Sequence, residues 1–361
     1  MTVDIFNSDA WLNQIILGDC ITSLKKIPDA SSDLIVSSPP YNIGKAYEAK
    51  RGLQIYLDEQ THVLRECARI LKATGSIFWQ VGSFSHNGSL IPLDIRFFPI
   101  LEGLGLIPRN RIAWIRPHGL HATRKFSGRY ETILWFTKSD QYKFNIDPIR
   151  VPQKWQNKKH HQGDKKGKLS CNPNGKNPGD VWAFQNVKHN HEEQTIHPCQ
   201  FPEDLIARII LATTNINDIV VDPYMGTGTV AVVARNHGRS FFGTELDNVY
   251  YSVAMRRLHG LPDENNCFPN LKTLRDYVNR TGLPIHQFSF DVQIGKTPSS
   301  REQSKRNPEH CHLQDFADRL EFEEDSFAAD LRGEKHPVYE KLNGGKSRAR
   351  DENLSFFEDL D

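Results

Sequence analysis

The sequence has no long hydrophobic run and no cysteine spacing of the kind seen in disulfide frameworks or metal sites. No apolar stretch approaches the roughly 20 residues of a membrane span. Residues Met1–Asp4 lack the basic start and apolar core of a signal peptide. The six cysteines are scattered and form no CxxC pair, so we expect no bound metal. We therefore expect a cytoplasmic protein with reduced thiols and no membrane partner.

Net charge is also nearly absent. The 361 residues carry 45 Lys and Arg against 44 Asp and Glu, which leaves a formal charge of +1. A uniformly basic protein is thereby excluded, and a nucleic-acid partner must be judged from local charge. The chain, with 38% hydrophobic residues, is long enough for one large α/β domain with an insertion and a tail.

Short apolar strands alternate with helical stretches over much of the chain. Helices are predicted around residues 53–71, at 202–212 and after Gly228. The predicted strands are Gln14–Leu17, Asp33–Ser37, Ser76–Val81, Arg111–Ile115, Thr132–Phe136, Ile219–Val221 and Phe241–Gly243. This alternation is typical of an α/β protein with a mostly parallel sheet.

Two motifs each follow a predicted strand. Ser38-Pro39-Pro40-Tyr41 comes after the run 33–37, and Asp222-Pro223-Tyr224-Met225-Gly226-Thr227-Gly228-Thr229 comes after the run 219–221. Open α/β sheets bind ligands at the carboxyl ends of their strands. We therefore predict one cleft built from two distant segments.

The second motif has the pattern of a cofactor turn. Gly226 and Gly228 allow a tight strand-to-helix turn whose backbone N–H groups face a polar ligand. About twenty residues later, Glu245 ends the next predicted strand, where an acid can accept both hydroxyl hydrogens of a ribose. A nicotinamide enzyme is the competing interpretation, but its GxGxxG fingerprint is not completed after Gly228.

The first motif is similar to the catalytic motif of amino-directed DNA methyltransferases, and this resemblance implies methyl transfer to an exocyclic amine of a base. The Ser38 hydroxyl and the Pro39 carbonyl can each accept a hydrogen from the amine, which directs the nitrogen lone pair at an electrophilic methyl group. Pro39 and Pro40 restrict the backbone, and Tyr41 can stack on a base flipped out of the duplex. The predicted mechanism is direct in-line transfer governed by positioning.

Together these motifs resemble amino-directed DNA methyltransferases of the β type, in which the catalytic motif precedes the cofactor motif. The resemblance covers roughly residues 14–260. It implies a seven-stranded Rossmann-like sheet with an inserted target-recognition region, S-adenosyl-L-methionine as cofactor and double-stranded DNA as substrate. It also implies that Asp19 contacts the adenine amino group and that Phe201 packs beside the methionine part. The implied cofactor residues are Asp19, Phe201, Asp222, Pro223, Gly226, Gly228, Thr229 and Glu245.

The resemblance divides the chain into four parts. These are a catalytic half (1–139), a target-recognition insertion (140–195), a cofactor-binding half (196–261) and a C-terminal extension of unknown role (262–361). Lysines accumulate in the insertion, where they can neutralise DNA phosphates. The predicted DNA-binding residues are Lys154, Trp155, Lys158, Lys159, Lys165 and Lys166.

Several alternatives stay open. Pro198-Cys199-Gln200 matches the nucleophile motif of cytosine-C5 methyltransferases, but it lies outside the catalytic strand end. Ser38 at the first motif position favours cytosine N4 within the resemblance, with adenine N6 as the runner-up. A catalytically silent nucleic-acid-binding relative and a small-molecule methyltransferase are the other classes. A cognate restriction endonuclease is a candidate partner, and the expected assembly is a monomer or homodimer.

Overall fold

The computed structural model describes residues 9–42, 51–86, 89–116, 121–155, 158–188 and 191–290. The chain divides into two units, residues 1–295 and residues 296–361. The second unit lies outside the described residues, as does most of the predicted C-terminal extension.

A central sheet of eight strands organises the described part of the first unit. Its strands are β1 (Gln14–Leu17), β2 (Ser32–Ser37), β3 (Leu71–Val81), β6 (Ile107–Ile115), β7 (Tyr130–Thr137), β8 (Val181–Ala183), β9 (Ile219–Asp222) and β10 (Ser240–Glu245). Two small sheets pair β4 (Ser83–His86) with β5 (Ser89–Pro92) and β11 (Cys267–Phe268) with β12 (Ser289–Phe290). The order of the central sheet is β1-β10-β9-β2-β3-β7-β6-β8, and β7 runs opposite to the other seven strands.

The prediction of a mostly parallel sheet is confirmed, but seven strands was wrong. Within the described residues the central sheet has eight, and the additional strand β8 lies in the predicted insertion. Trp182 anchors it: the ring is buried, its Nε1 donates to the Gly179 carbonyl over 2.8 Å, and the Arg208 guanidinium lies 5.2 Å from the ring centroid. Three residues are too few to show a periodic apolar pattern, so the sequence does not predict this strand. Its position depends on the burial of Trp182 and on its pairing with β6.

Helices cover both faces of the sheet. They are α1 (Cys20–Leu24), α2 (Leu53–Ile70), α3 (Leu93–Gly103), α4 (Glu203–Thr213), α5 (Thr229–Asn236), α6 (Asn248–His259) and α7 (Leu271–Thr281). Trp79 and Phe242 belong to a core shared with α1, α2 and α3, whereas Phe78 and Phe241 belong to a core shared with α4, α5 and α6. Adjacent strand residues thus supply opposite cores, as the pleat requires. The carboxyl ends of the parallel strands therefore lie along the same side of the sheet, between the two helical layers.

The first part of the C-terminal extension is attached to the end of the insertion. The Asn270 side-chain amide donates to the Glu193 carbonyl over 3.0 Å, and the Lys272 N–H donates to the Glu192 carbonyl over 2.9 Å. Arg275 forms an ion pair with Glu192 at 2.8 Å. The helix α7 therefore belongs to the first unit, although the apolar pattern of the sequence weakens beyond Pro262.

Among the described residues, no helix combines the length and the apolar character needed to cross a membrane.

Candidate active site

The two sequence motifs meet because β2 and β9 are neighbours in the sheet. Leu34 pairs with Val220, and Ile35 pairs with Val221. A cavity of about 630 Å³ lies where these strands end. It is lined by eleven of the twelve predicted catalytic and cofactor residues, namely Asp19, Ser38, Pro39, Pro40, Tyr41, Phe201, Asp222, Pro223, Gly226, Thr229 and Glu245.

Gly228 is the predicted residue that does not line the cavity. Its φ of +84° caps the start of α5, and a Cβ built on it would lie 2.9 Å from the Cβ of Ala254 on α6. A side chain here would be strained by the backbone and by this contact. Gly228 therefore allows close packing of α5 against α6, while Gly226, at φ +55°, faces the cavity.

Two acids at strand ends have partners inside the protein. Glu245 accepts the Gly226 N–H at 2.7 Å on one carboxylate oxygen and the Asp247 N–H at 2.8 Å on the other. Burial raises its pKa. Asp19 caps α1 by accepting from the N–H and hydroxyl of Thr22 at 2.8 and 2.7 Å, both on Oδ1. Each acid therefore shapes the backbone around the cavity that it lines.

Asp222, the first residue of the second motif, is buried and contacts the end of β2. Its Oδ1 accepts the Ser37 hydroxyl at 2.5 Å and the Tyr224 N–H at 3.0 Å. Burial raises the pKa of this carboxyl to about 7, because the apolar surroundings disfavour the charged form more than the two hydrogen bonds favour it. The carboxyl links the end of β2 to the predicted cofactor turn.

Hydrogen bonds hold the predicted catalytic tetrapeptide in place. The Tyr56 hydroxyl of α2 donates to the Pro40 carbonyl over 2.7 Å. The Ser38 hydroxyl donates to Tyr41 Oη at 3.3 Å, and the Tyr41 hydroxyl donates to Gln80 Oε1 at 2.6 Å. A Cβ on Gly82 would lie 2.9 Å from the Tyr41 ring, so this glycine makes room for it.

The predicted segment beside the cofactor turn is held by Gln200. Its side-chain oxygen accepts from the hydroxyl and N–H of Thr195 at 2.8 and 3.2 Å, and its nitrogen donates to the Glu193 carbonyl at 2.8 Å. Phe201 lies near Trp114, with 6.4 Å between ring centroids. Cys199 is exposed and lines the same cavity, although sequence reasoning assigned it no catalytic part.

Sequence reasoning missed several polar residues around the site. Gln80 is buried within the apolar strand β3 and bonds to Glu131 on β7, and a lone amide in an apolar run was the available signal. Arg257 is buried on α6, where it donates to the Thr227 carbonyl at 2.7 Å and to Thr229 Oγ1 at 3.0 Å. No spacing rule marks Arg257, since its partners lie on another element.

An acidic group beside Arg257 has a strongly raised pKa. Glu193 accepts the Glu203 N–H at 2.9 Å, and burial together with the Glu203 charge raises the Glu193 pKa to about 8. Arg257 forms its ion pair with Glu203 at 2.9 Å. This cluster joins the insertion to α4 and α6.

The predicted DNA-binding residues are all exposed. Four of them, Lys154, Trp155, Lys158 and Lys159, line a second cavity of about 580 Å³ in the insertion. Trp155 is 67% exposed, and the Lys154 ammonium lies 5.7 Å from its ring centroid. Lys165 and Lys166 lie outside this cavity, in a loop closed by the bond from the Gly167 N–H to the His160 carbonyl at 2.9 Å.

The histidines and cysteines of the insertion raise the question of a metal. In the part of the chain that the structure describes, no three His, Cys, Asp or Glu side chains are grouped so that they could hold a metal ion.

Comparison with known proteins gives the family. Residues 32–256 match the DNA methylase family model N6_N4_Mtase. The chain is 58% identical over 315 residues to the Type II methyltransferase M.BglII of Bacillus subtilis, covering 86% of this chain and 87% of that protein. It is 37% identical over 253 residues to the DNA adenine methyltransferase YhdJ of Escherichia coli strain K12, covering 68% and 82%.

A solved structure supports the fold. The PvuII DNA methyltransferase, described as cytosine-N4-specific, aligns with a TM-score of 0.55 at 19% identity over 77% of this chain and 94% of its own. The predicted Rossmann-like methyltransferase fold is thereby confirmed. The chain belongs to the N6_N4_Mtase family of DNA methylases and is an S-adenosyl-L-methionine-dependent DNA methyltransferase.

Proposed function

We propose that this enzyme methylates the N4 amine of a flipped cytosine within a defined sequence of duplex DNA, as the modification enzyme of a restriction-modification system. The observation that carries the proposal is the single cavity that Ser38 shares with the turn at Gly226. A cognate endonuclease would be the partner in such a system, and the methyltransferase would act as a monomer or homodimer.

The cavity suits the cofactor in size and in chemistry. Its volume of about 630 Å³ is within the range of sites for ligands of this size. Gly226 presents backbone without a side chain, and Glu245 and Asp19 place acids near positions suited to ribose hydroxyls and an adenine amine. When bound, S-adenosyl-L-methionine supplies an electrophilic methyl group. The segment carrying Phe201 would enclose its methionine part.

The tetrapeptide would bind and orient the amine. Ser38 Oγ and the Pro39 carbonyl would accept its two hydrogens, so that the nitrogen lone pair faces the methyl group. Tyr41 would stack on the base and offset part of the cost of flipping. Because Pro40 is tied to Tyr56, these groups are preorganised before DNA binds. No covalent bond between enzyme and base is needed, so Cys199 would remain a thiol.

The choice of cytosine N4 depends on Ser38. A serine at this motif position is associated with cytosine N4 within the resemblance, whereas aspartate or asparagine is associated with adenine N6. Adenine N6 is the second candidate, because the E. coli relative that is 37% identical to this chain is a DNA adenine methyltransferase. Either base offers an amine beside a ring nitrogen, so the mechanism is the same for both.

The exposed lysines of the insertion would bind the DNA backbone. Lys158, Lys159, Lys165 and Lys166 can each neutralise a phosphate, and this adds affinity without reading sequence. Trp155, largely exposed, could stack on or wedge between bases.

The modified base is identified by mass spectrometry of nucleosides from DNA treated with the enzyme and methyl-labelled cofactor. We expect label in N4-methylcytosine, and sequencing of the modified DNA gives the recognition site. Ser38→Ala protein is the control for background label. Label found solely in N6-methyladenine would reject cytosine but leave the fold and the direct transfer standing. No label in any base of DNA that contains every short site would overturn the proposal.

A further inference from the structure

A chain of hydrogen bonds leads from Ser38 into the protein. Ser38 Oγ lies 3.3 Å from Tyr41 Oη, and Tyr41 Oη lies 2.6 Å from Gln80 Oε1. Gln80 Nε2 lies 2.6 Å from Glu131 Oε2, and Glu131 Oε1 pairs with Arg116 Nη1 at 3.0 Å. Four elements contribute: the loop after β2, then β3, β7 and the residue that follows β6.

The chemistry of the groups permits one direction for these bonds. An ionised carboxylate only accepts, so Gln80 must turn its nitrogen toward Glu131 and its oxygen toward Tyr41. The Tyr41 hydroxyl must then donate its hydrogen to Gln80, and its oxygen is left to accept from Ser38. A second contact, from Tyr41 Oη to Glu131 Oε2 at 3.4 Å, favours the same direction.

We propose that Glu131 and Gln80 are positioning residues that make Ser38 a hydrogen-bond acceptor toward the substrate amine. With its own hydrogen committed to Tyr41, Ser38 turns its lone pairs outward, where an amine hydrogen can be accepted. Ser38 would therefore not donate to the neighbouring ring nitrogen of the base. The inference rests on the proposed part of Ser38 in binding the amine, and it holds for cytosine or adenine.

The side chains around this series of hydrogen bonds hold its members in position. Gln80 is 3% exposed, so water does not compete for its amide. Gly82 leaves the space that the Tyr41 ring fills, and Arg116 balances the Glu131 charge from the far side. A buried amide bonded at both its oxygen and its nitrogen cannot turn over without breaking both bonds.

Glu131→Gln tests the direction of these hydrogen bonds. The substitution keeps the shape of the side chain, but an amide can donate as well as accept, so Gln80 is no longer forced to turn its oxygen toward Tyr41. We expect the single-turnover rate of methyl transfer to fall at least about tenfold, on the scale of losing one positioned hydrogen bond. Calorimetric affinity for S-adenosyl-L-methionine and affinity for DNA should change less than about twofold, which a general structural defect would not allow.

The double variant Gln80→Glu and Glu131→Gln is the decisive rescue. A carboxylate at position 80 accepts from Tyr41, and an amide at position 131 can donate to it while accepting from Arg116. The inward direction is restored, so the rate should recover to within a few fold of wild type. Glu66→Gln is the matched control, since Glu66 pairs with Arg69 at 2.9 Å with the same 16% side-chain exposure as Glu131.

Each outcome separates this inference from the proposed function. If Ser38→Ala abolishes methyl transfer while Glu131→Gln retains the wild-type rate, the inference is wrong and the proposed function stands. If Ser38→Ala retains the wild-type rate, the proposed part of Ser38 in binding the amine is wrong, and the inference that rests on it is wrong as well. Should Glu131→Gln fail to fold, Tyr41→Phe removes the same link and keeps the ring. Full activity of that variant would also overturn the inference.

Discussion

The Ser37 hydroxyl donates to the Asp222 carboxylate over 2.5 Å, and this bond joins residues 185 positions apart in the chain. It connects the end of β2 to the start of the predicted cofactor turn. Both side chains are buried, so the bond is shielded from water and holds the two halves of the cleft in register. The two motifs are therefore held together by a contact between two neighbouring strands.

The raised pKa of Asp222 predicts a pH-dependent stability. The folded pKa, about 7, lies above the ordinary value of 3.8, so the folded state holds a proton that the unfolded state loses. The free energy of unfolding should fall as pH rises from about 4 to 7. Asp222→Asn mimics the protonated form and should be spared this loss. Relative to wild type, the variant should gain about 2–3 kcal/mol between pH 5 and pH 8 in urea unfolding. A constant difference between the two proteins would contradict the prediction.

Gly228→Ala should lower the free energy of unfolding by more than the strain of a side chain at a left-handed backbone position accounts for. The new Cβ would meet the Cβ of Ala254 at 2.9 Å, in addition to the strain at φ +84°. We expect a loss of about 2–4 kcal/mol in the free energy of unfolding. Gly238→Ala is the matched control: at φ +72° its Cβ would make only an ordinary 3.6 Å contact with Ile216. Equal losses for the two variants would show that the contact with α6 has no effect.

Tyr41→Ala should separate base handling from cofactor binding. The ring would stack on the flipped base, so we expect methyl transfer to fall roughly a hundredfold while calorimetric affinity for the cofactor changes little.

Cys199→Ser should retain most of the activity, because direct transfer uses no thiol nucleophile. A covalent adduct between Cys199 and a cytosine analogue, detected by mass spectrometry, would refute direct transfer.

Replacing Lys165 and Lys166 by Gln should weaken DNA binding and flatten its salt dependence. Each lost phosphate contact lowers the slope of log affinity against log salt by about one. Lys25 and Lys26 form an exposed adjacent pair just after α1 and lie outside residues 140–195, and their replacement by Gln is the control. Fluorescence anisotropy at several salt concentrations measures both. If only the control pair changes the slope, the DNA surface lies elsewhere.

Local structure was readable from the sequence only in part, since α1, α3, α6 and α7 were not predicted and β3 and β6 begin before the predicted strands. The strand Gln14–Leu17 was predicted at its observed bounds, and the helix α2 and the strand β9 were predicted to within one residue of each end. Alternation of apolar residues is a property of neighbours along the chain, so it needs no knowledge of the fold. The strand β8 was not predicted, because three residues are too few to show a periodic apolar pattern and its position depends on the burial of Trp182.

The sequence by itself determined the motifs, the order in which they occur and the family, since each of these is a property of consecutive residues. Only the tertiary structure decided that β2 and β9 are neighbours, that Gly228 packs against Ala254 and that Gln80 links Tyr41 to Glu131. The bond from Gln80 to Glu131 joins residues 51 positions apart on two strands. Strand order and register bring such residues together, and no local pattern encodes either one. Most residues predicted from the sequence line the one cavity, whereas the hydrogen bonds that orient them required the fold.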